Sequence, residues 1–175
     1  MVKKLIGFVF AFGLISCNQE KESKVNTELL YFDIKGYFQK ESIRLKKTNP
    51  VILKEVDIDG AKETKSLNIK DWEKEFSIFA NADINKASWK GSFKIQKLHD
   101  GLIYTSSSKK IPVKSFRIDS FENKVKKIEI IISNKNILYT SGDTLLYYPD
   151  SLYLVKKHQK IKLLKEKKYQ VKEIF

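Results

Sequence analysis

From Trp89 to the C-terminus the chain is written in short runs of alternating apolar and polar residues, each closed by a turn signal. That pattern leaves few options. In a strand, alternate side chains point to opposite faces, and Ile128, Ile130 and Ile132 then share one face while Lys127 and Glu129 share the other. Phe93 and Ile95 lead to Asp100-Gly101, read as an Asp-Gly hairpin turn, and the chain returns through Leu102-Ile103-Tyr104. Strands follow at 111–119 and 125–133, joined by Glu122-Asn123. Shorter ones are expected at 137–141, 144–148, 152–157, 160–164 and 168–173, punctuated by Gly142-Asp143 and Pro149-Asp150. Consecutive strands with short connections make an antiparallel meander.

The first part of the chain reads differently. Leu30, Ile34, Tyr37, Phe38 and Leu45 recur at the helical period, predicting a helix from about Thr27 to Lys47, capped by Asn26 and stopped by Asn49-Pro50. A hairpin follows, Val51–Ile58 and Ala61–Leu67 around Asp59-Gly60. Its second strand is nearly all polar, as suits an edge rich in lysine. Trp72, Phe76, Phe79 and Ala80 predict a second helix near Asp71–Ile84. The expected architecture is α+β: two amphipathic helices packed on a curved antiparallel sheet or half-barrel of about 8–10 strands.

The N-terminus carries an address. Lys3 and Lys4 precede an apolar run, Leu5 to Ile15, too short for a bilayer span of roughly 20 residues but suited to the core of a signal peptide. Leu14-Ile15-Ser16-Cys17 closes it. This stretch resembles the lipobox of bacterial lipoproteins, a likeness confined to residues 1–17. The resemblance implies cleavage before Cys17, diacylation of its sulfur and membrane anchoring by the acyl chains. Two or more chains anchor stably where one holds only marginally. Asn18 after the cysteine points to the outer membrane, on its periplasmic face or at the cell surface. The expected organisation is a signal peptide over 1–16, lipidated Cys17 with a polar tether to residue 25, and a single domain over 26–175. The stretches "DWEKEFSIFANADINKASW" and "YPDSLYLVKKHQKIKLL" are similar to parts of small envelope lipoproteins, a likeness that implies no activity.

Cys17 is the only cysteine, so the domain is expected to rest on its core and not on an intrachain disulfide. The formal charge is +13, carried by 32 lysines against only Arg44 and Arg117. Arginine is the usual reader of phosphate and guanine, and its scarcity argues against a nucleic-acid partner. His99 and His158 have no neighbouring ligands at metal spacing, so neither a metal site nor a cofactor is expected. No glycine frames a serine as a nucleophile elbow does, and no phosphate loop or dinucleotide fingerprint appears. Glu73 and Glu75 point to different sides of a helix, while Asp57 and Asp59 belong to a turn. An enzyme is disfavoured, although two carboxylates from distant parts of the chain can still meet in the fold.

Two features remain as candidate sites. Between residues 155 and 172 stand Lys156, Lys157, Lys160, Lys162, Lys165, Lys167 and Lys168, with Glu166 the single acid. On strands they are expected to fill one face, opposite aliphatics, and to meet lipid phosphates at about 1 kcal/mol per lysine. The aromatic residues Tyr37, Phe38, Trp72, Phe76 and Phe79 are the expected lining of an apolar-ligand cavity, if they outnumber what a closed core holds. The leading functional expectation is a membrane-anchored, non-enzymatic interaction module, with anionic lipid head groups or an envelope protein as partner. The alternative is a carrier or sensor of a lipid or other apolar ligand in a half-barrel cavity.

Overall fold

The computed structural model describes residues 29–175, so the lipobox, Cys17, the tether and Asn26 lie outside the described residues. Helix α1 spans Ile34–Thr48. It begins later than its apolar period suggests because Asp33, not Asn26, caps it, accepting a hydrogen bond from the Gly36 N–H at 2.9 Å. The preceding residues are held in non-helical backbone, where the Tyr31 N–H donates to the side-chain oxygen of Asn85 at 2.9 Å. At the other end Asn49 takes a left-handed conformation, and its N–H donates to the Leu45 carbonyl. Ile34, Phe38, Ser42 and Leu45 form the buried stripe.

The expected second helix is two single turns, α2 (Trp72–Glu75) and α3 (Ser77–Ala80). Asp71 caps the first through the Lys74 N–H. The break falls at Phe76, whose φ of −83° and ψ of 1° lie in the bridge region, and tight i to i+3 bonds follow it from Phe79 to Phe76 and from Ala82 to Phe79. The tightened chain still turns Trp72, Phe76 and Phe79 inward, and all three are buried.

Everything else hangs on one sheet. Its strands are β1 (Val51–Ile58), β2 (Ala61–Asn68), β3 (Lys94–Leu98), β4 (Gly101–Thr105), β5 (Val113–Phe121), β6 (Lys124–Lys135), β7 (Tyr139–Tyr148), β8 (Leu152–Ile161) and β9 (Lys167–Ile174). The order is β2-β1-β9-β8-β7-β6-β5-β4-β3, a meander from β3 to β9 with the β1–β2 hairpin added beside the last strand. Every neighbouring pair is antiparallel. The sheet is open, with β2 and β3 at its edges.

This corrects the expected α+β class. The molecule is mostly an open nine-stranded antiparallel sheet with three short helices, in place of the expected two amphipathic helices packed on a curved sheet or half-barrel. Three local facts account for the difference: Asp33 caps α1 late, Phe76 breaks the second helix, and β7 and β8 run unbroken where pairs of shorter strands were expected. Gly142 lies inside β7 because it pairs with His158 of β8, whose imidazole covers it. A Cβ built at Gly142 would stand 2.2 Å from His158 Cε1.

The hairpin readings divide in the same way. Asp59-Gly60 and Glu122-Asn123 each carry positive φ at both central residues, the type I′ requirement. Asp100-Gly101 does not form the turn: His99 and Asp100 do, and Gly101 opens β4 opposite Leu98 and Asp119. Gly101 is needed for space, since a Cβ there would lie 1.8 Å from the Ile118 carbonyl oxygen. Gly101→Ala therefore forces backbone apart and is expected to cost about 2 kcal/mol in urea denaturation. Gly142→Ala meets only a side chain that can rotate away and is expected to cost less than about 1 kcal/mol. Equal losses would contradict this contrast.

Candidate functional site

Two tyrosines organise the face of the sheet under the helices. Tyr147 of β7 and Tyr153 of β8 are direct cross-strand partners, both buried. The Tyr147 hydroxyl donates to Glu41 of α1, and the Tyr153 hydroxyl donates to Glu75 of α2. Each glutamate also holds a cation. Arg44 grips Glu41 with Nε at 3.0 Å and Nη2 at 2.8 Å and reaches Asp150, in the β7–β8 turn, at 2.6 Å. Lys54 of β1 lies 3.1 Å from Glu75 and 2.6 Å from Glu173 of β9. Both helical segments are thus tied to the sheet through ionic hydrogen bonds, the strong kind.

The electrostatics follow from burial. Burial, then the adjacent carboxylates, pushes both tyrosine hydroxyls far above their ordinary range, so they stay protonated and donate to the glutamates. Glu173 is fully buried, and the Lys54 ammonium is near it but poorly directed, leaving both carboxyl oxygens without a well-formed hydrogen bond. Burial accordingly holds the Glu173 carboxyl above the glutamate range. Glu75 is also raised by burial, but the Tyr153 hydroxyl and Lys54 outweigh this and hold it below that range. Burial pulls Lys54 down, and its contacts with Glu173 and Glu75 outweigh that in turn. The opposite directions make Glu173 the member of the pair that binds a proton more readily, and Glu75 the one that keeps its charge beside Lys54.

Here two carboxylates from distant parts of the chain do meet. The signal was in the sequence: Glu173 has the same parity as Val171 and Tyr169 on β9 and therefore points inward with them. Glu173 is enclosed, however, and its chemistry is that of a clamp. A cavity of about 240 Å³ opens beside the pair, lined by Lys54, Glu75, Tyr153, Lys157 and Tyr169 with apolar walls from Ile78, Val155 and Val171.

The aromatic residues expected to line a ligand cavity are packed on one another. Phe38 stacks on Phe79 at 4.7 Å between ring centroids, and its ring is also 5.1 Å from those of both Phe76 and Tyr147. Trp72 lies against Phe76 and Phe175, while half-buried Tyr37 meets Phe38 edge-on. Phe38, Phe76 and Phe79 belong wholly to the core, and none of the three touches the 240 Å³ cavity.

The candidate lysines are all exposed, but they do not fill one face. On β8, Lys156 and Lys160 share one face with His158, while Lys157 points to the other with Tyr153 and Val155; Lys167 and Lys168 of β9 likewise alternate. What they share is an end. The last well-covered row under the helices is Ile130–Leu145–Val155–Val171. Beyond it β6, β7 and β8 continue for about six residues, roughly 20 Å at about 3.3 Å each, and none of those residues is buried. Lys162 and Lys165 lie in the turn that closes this extension. Among the described residues only Lys157 of the group meets a carboxylate, Asp143 at 3.6 Å. A groove of about 1120 Å³ runs beside the extension, where Lys156, His158 and Lys168 face Asp57 and Asp59. The Lys168 N–H donates to Asp59 at 2.7 Å.

No protein-family model, curated protein or solved structure matches the chain. Among the described residues no group of three His, Cys, Asp or Glu is placed to hold a metal, and no helix is long and apolar enough to cross a membrane.

The clamp has a pH signature. The lowered Glu75 stabilises the fold above the ordinary glutamate range, and that contribution is lost as pH falls through its folded pKa; the raised Glu173 has the opposite sign, losing its contribution as pH rises through its own. Glu75→Gln should cost about 1–2 kcal/mol near neutral pH. Glu173→Gln, which mimics the protonated acid, should cost less and flatten the loss of stability on raising the pH. Urea midpoints across pH check this, and a larger penalty for Glu173→Gln would contradict the assignment.

Proposed function

We propose that the protein is an envelope lipoprotein, held at the outer membrane by acyl chains on Cys17, and that the domain serves there as a non-enzymatic interaction module. The observation that carries this reading is the crowding of Lys156, Lys157, Lys160, Lys162, Lys165, Lys167 and Lys168 at one uncovered end of the sheet, exposed and, among the described residues, with one ion pair between their ammonium groups and a carboxylate, Lys157 to Asp143. Such a surface attracts an anionic partner. The signal-like run and lipobox-like Leu14-Ile15-Ser16-Cys17 support a membrane address beside that surface. The carrier reading has weaker support, because the aromatic rings that would line its cavity are packed against one another.

The anchor is tested in cells fed an alkyne analogue of palmitate. The wild-type chain should take up label, cofractionate with outer membranes and resist an alkaline wash. Cys17→Ala should carry no label and be released by that wash. Label retained by Cys17→Ala would refute the anchor.

A further inference from the structure

The uncovered end of the sheet finishes in two turns that stand side by side. The β6–β7 turn holds residues 136–138 and the β8–β9 turn residues 162–166, and the Lys162 N–H donates to the Leu138 carbonyl at 2.9 Å, fastening one to the other. Together they present four aliphatic side chains to solvent: Ile137 at 89% exposure, Leu138 at 67%, Leu163 at 96% and Leu164 at 63%. Isolated surface leucines are ordinary, but a contiguous cluster at a projecting tip is not.

These residues are not what the turns require. Asn136 does the turn work in the first, its side-chain oxygen accepting the N–H groups of Leu138 and Tyr139 at 2.8 Å each. In the second, Leu163 sits at a φ of 69°. That conformation favours Gly or Asn and costs a residue with a Cβ about 1–2 kcal/mol. A strained leucine, almost wholly in water, contributes nothing to folding and is explained by something outside the fold.

The surroundings identify what. Lys135, Lys160, Lys162 and Lys165 ring the aliphatics, all exposed, and Glu166 is the one acid in the second turn. Apolar tips inside a collar of lysine match the boundary of an anionic bilayer, where aliphatics enter below the phosphates and lysine stems reach up to them. A protein partner would favour Tyr, Trp and Arg anchors over lysine and leucine. The tip also offers no strand edge, since β2 and β3 lie at the borders of the sheet.

We propose that this tip inserts Ile137, Leu138, Leu163 and Leu164 into an anionic lipid surface while the surrounding lysines contact its phosphates. The proposal rests on the interaction-module reading and names its partner. It is independent of acylation, which makes the two separable.

The test uses residues 18–175, which contain the whole described fold and lack Cys17, in cosedimentation with vesicles. Phosphatidylcholine vesicles with a quarter phosphatidylglycerol should bind the chain, and pure phosphatidylcholine vesicles should bind it at least tenfold more weakly. Ile137→Ser combined with Leu163→Ser should lower partitioning onto the anionic vesicles at least tenfold without changing the thermal midpoint, because both side chains are solvent-exposed. Lys160→Glu with Lys162→Glu should abolish the preference for anionic lipid. Wild-type affinity in the double serine variant would overturn insertion. Failure of the unsubstituted chain to bind either vesicle, with palmitate labelling of Cys17 intact, would overturn the tip and leave the anchor standing. A dimer in solution lost on Leu163→Ser, without vesicle binding, would overturn the lipid assignment in favour of a second copy of the chain.

Discussion

Across the centre of the sheet Tyr147 faces Tyr153, and each hydroxyl is held by a glutamate from a different helical segment. Most of the fold's odd features refer back to this pair. Glu41 and Glu75 fix where α1 and α2 sit, while Arg44 and Lys54 carry the tie on to the β7–β8 turn and to β1. Lys54 also reaches β9 through Glu173, so one ammonium spans the place where the hairpin joins the meander. An ion left unpaired in such a site costs far more than the pair gains, and the network therefore holds as a unit. The aromatic rings of Phe38, Phe76 and Phe79 pack against the rings of Tyr147 and Tyr153.

The clamp also decides what remains open. Three short helices cover only the rows of the sheet near Tyr147 and Leu145, whereas β6, β7 and β8 are 12, 10 and 10 residues long. Long paired strands beyond the helices can bury little, and most of their residues are accordingly polar, as Ser133, Ser141, Gln159 and the lysines are, with Ile131, Ile132, Tyr139 and Ile161 among them. The most exposed aliphatics of this end, Ile137, Leu138, Leu163 and Leu164, stand at its turns. Core and exposed end are thus two parts of the same strands, separated by where the helices stop.

Much of this was legible in the sequence, and the losses have physical causes. Turn chemistry located Asp59-Gly60, Glu122-Asn123 and Pro149-Asp150, and lysines marked β2 as an edge. Gly142 misled because a glycine within a strand reads as a break unless its cross-strand partner is known, and His158 lies sixteen positions along. The second helix misled because the same apolar spacing serves a straight helix and two turns bent at Phe76. The lysines were assigned to one face by counting alternation from the aliphatics, but alternation places them on both, and only the position of the helix cover shows that an end unites them. Glu173 was missed although its parity placed it inward. A charged residue at an inward position implies a partner, and sequence does not say that the partner is Lys54.

The end of the sheet beyond the helix cover is the part proposed to meet lipid, and probes at the two ends of the sheet distinguish it from the other. Ile137 and Val51 are both strongly exposed aliphatics, but Val51 pairs with Asn68 at the opposite end of the sheet. An environment-sensitive fluorophore placed on Ile137→Cys or Val51→Cys, in residues 18–175, compares the two ends on anionic vesicles containing brominated lipid. A blue shift with quenching at position 137 and neither at position 51 is the predicted result. Equal responses at both positions, or a response at 51 alone, would contradict it.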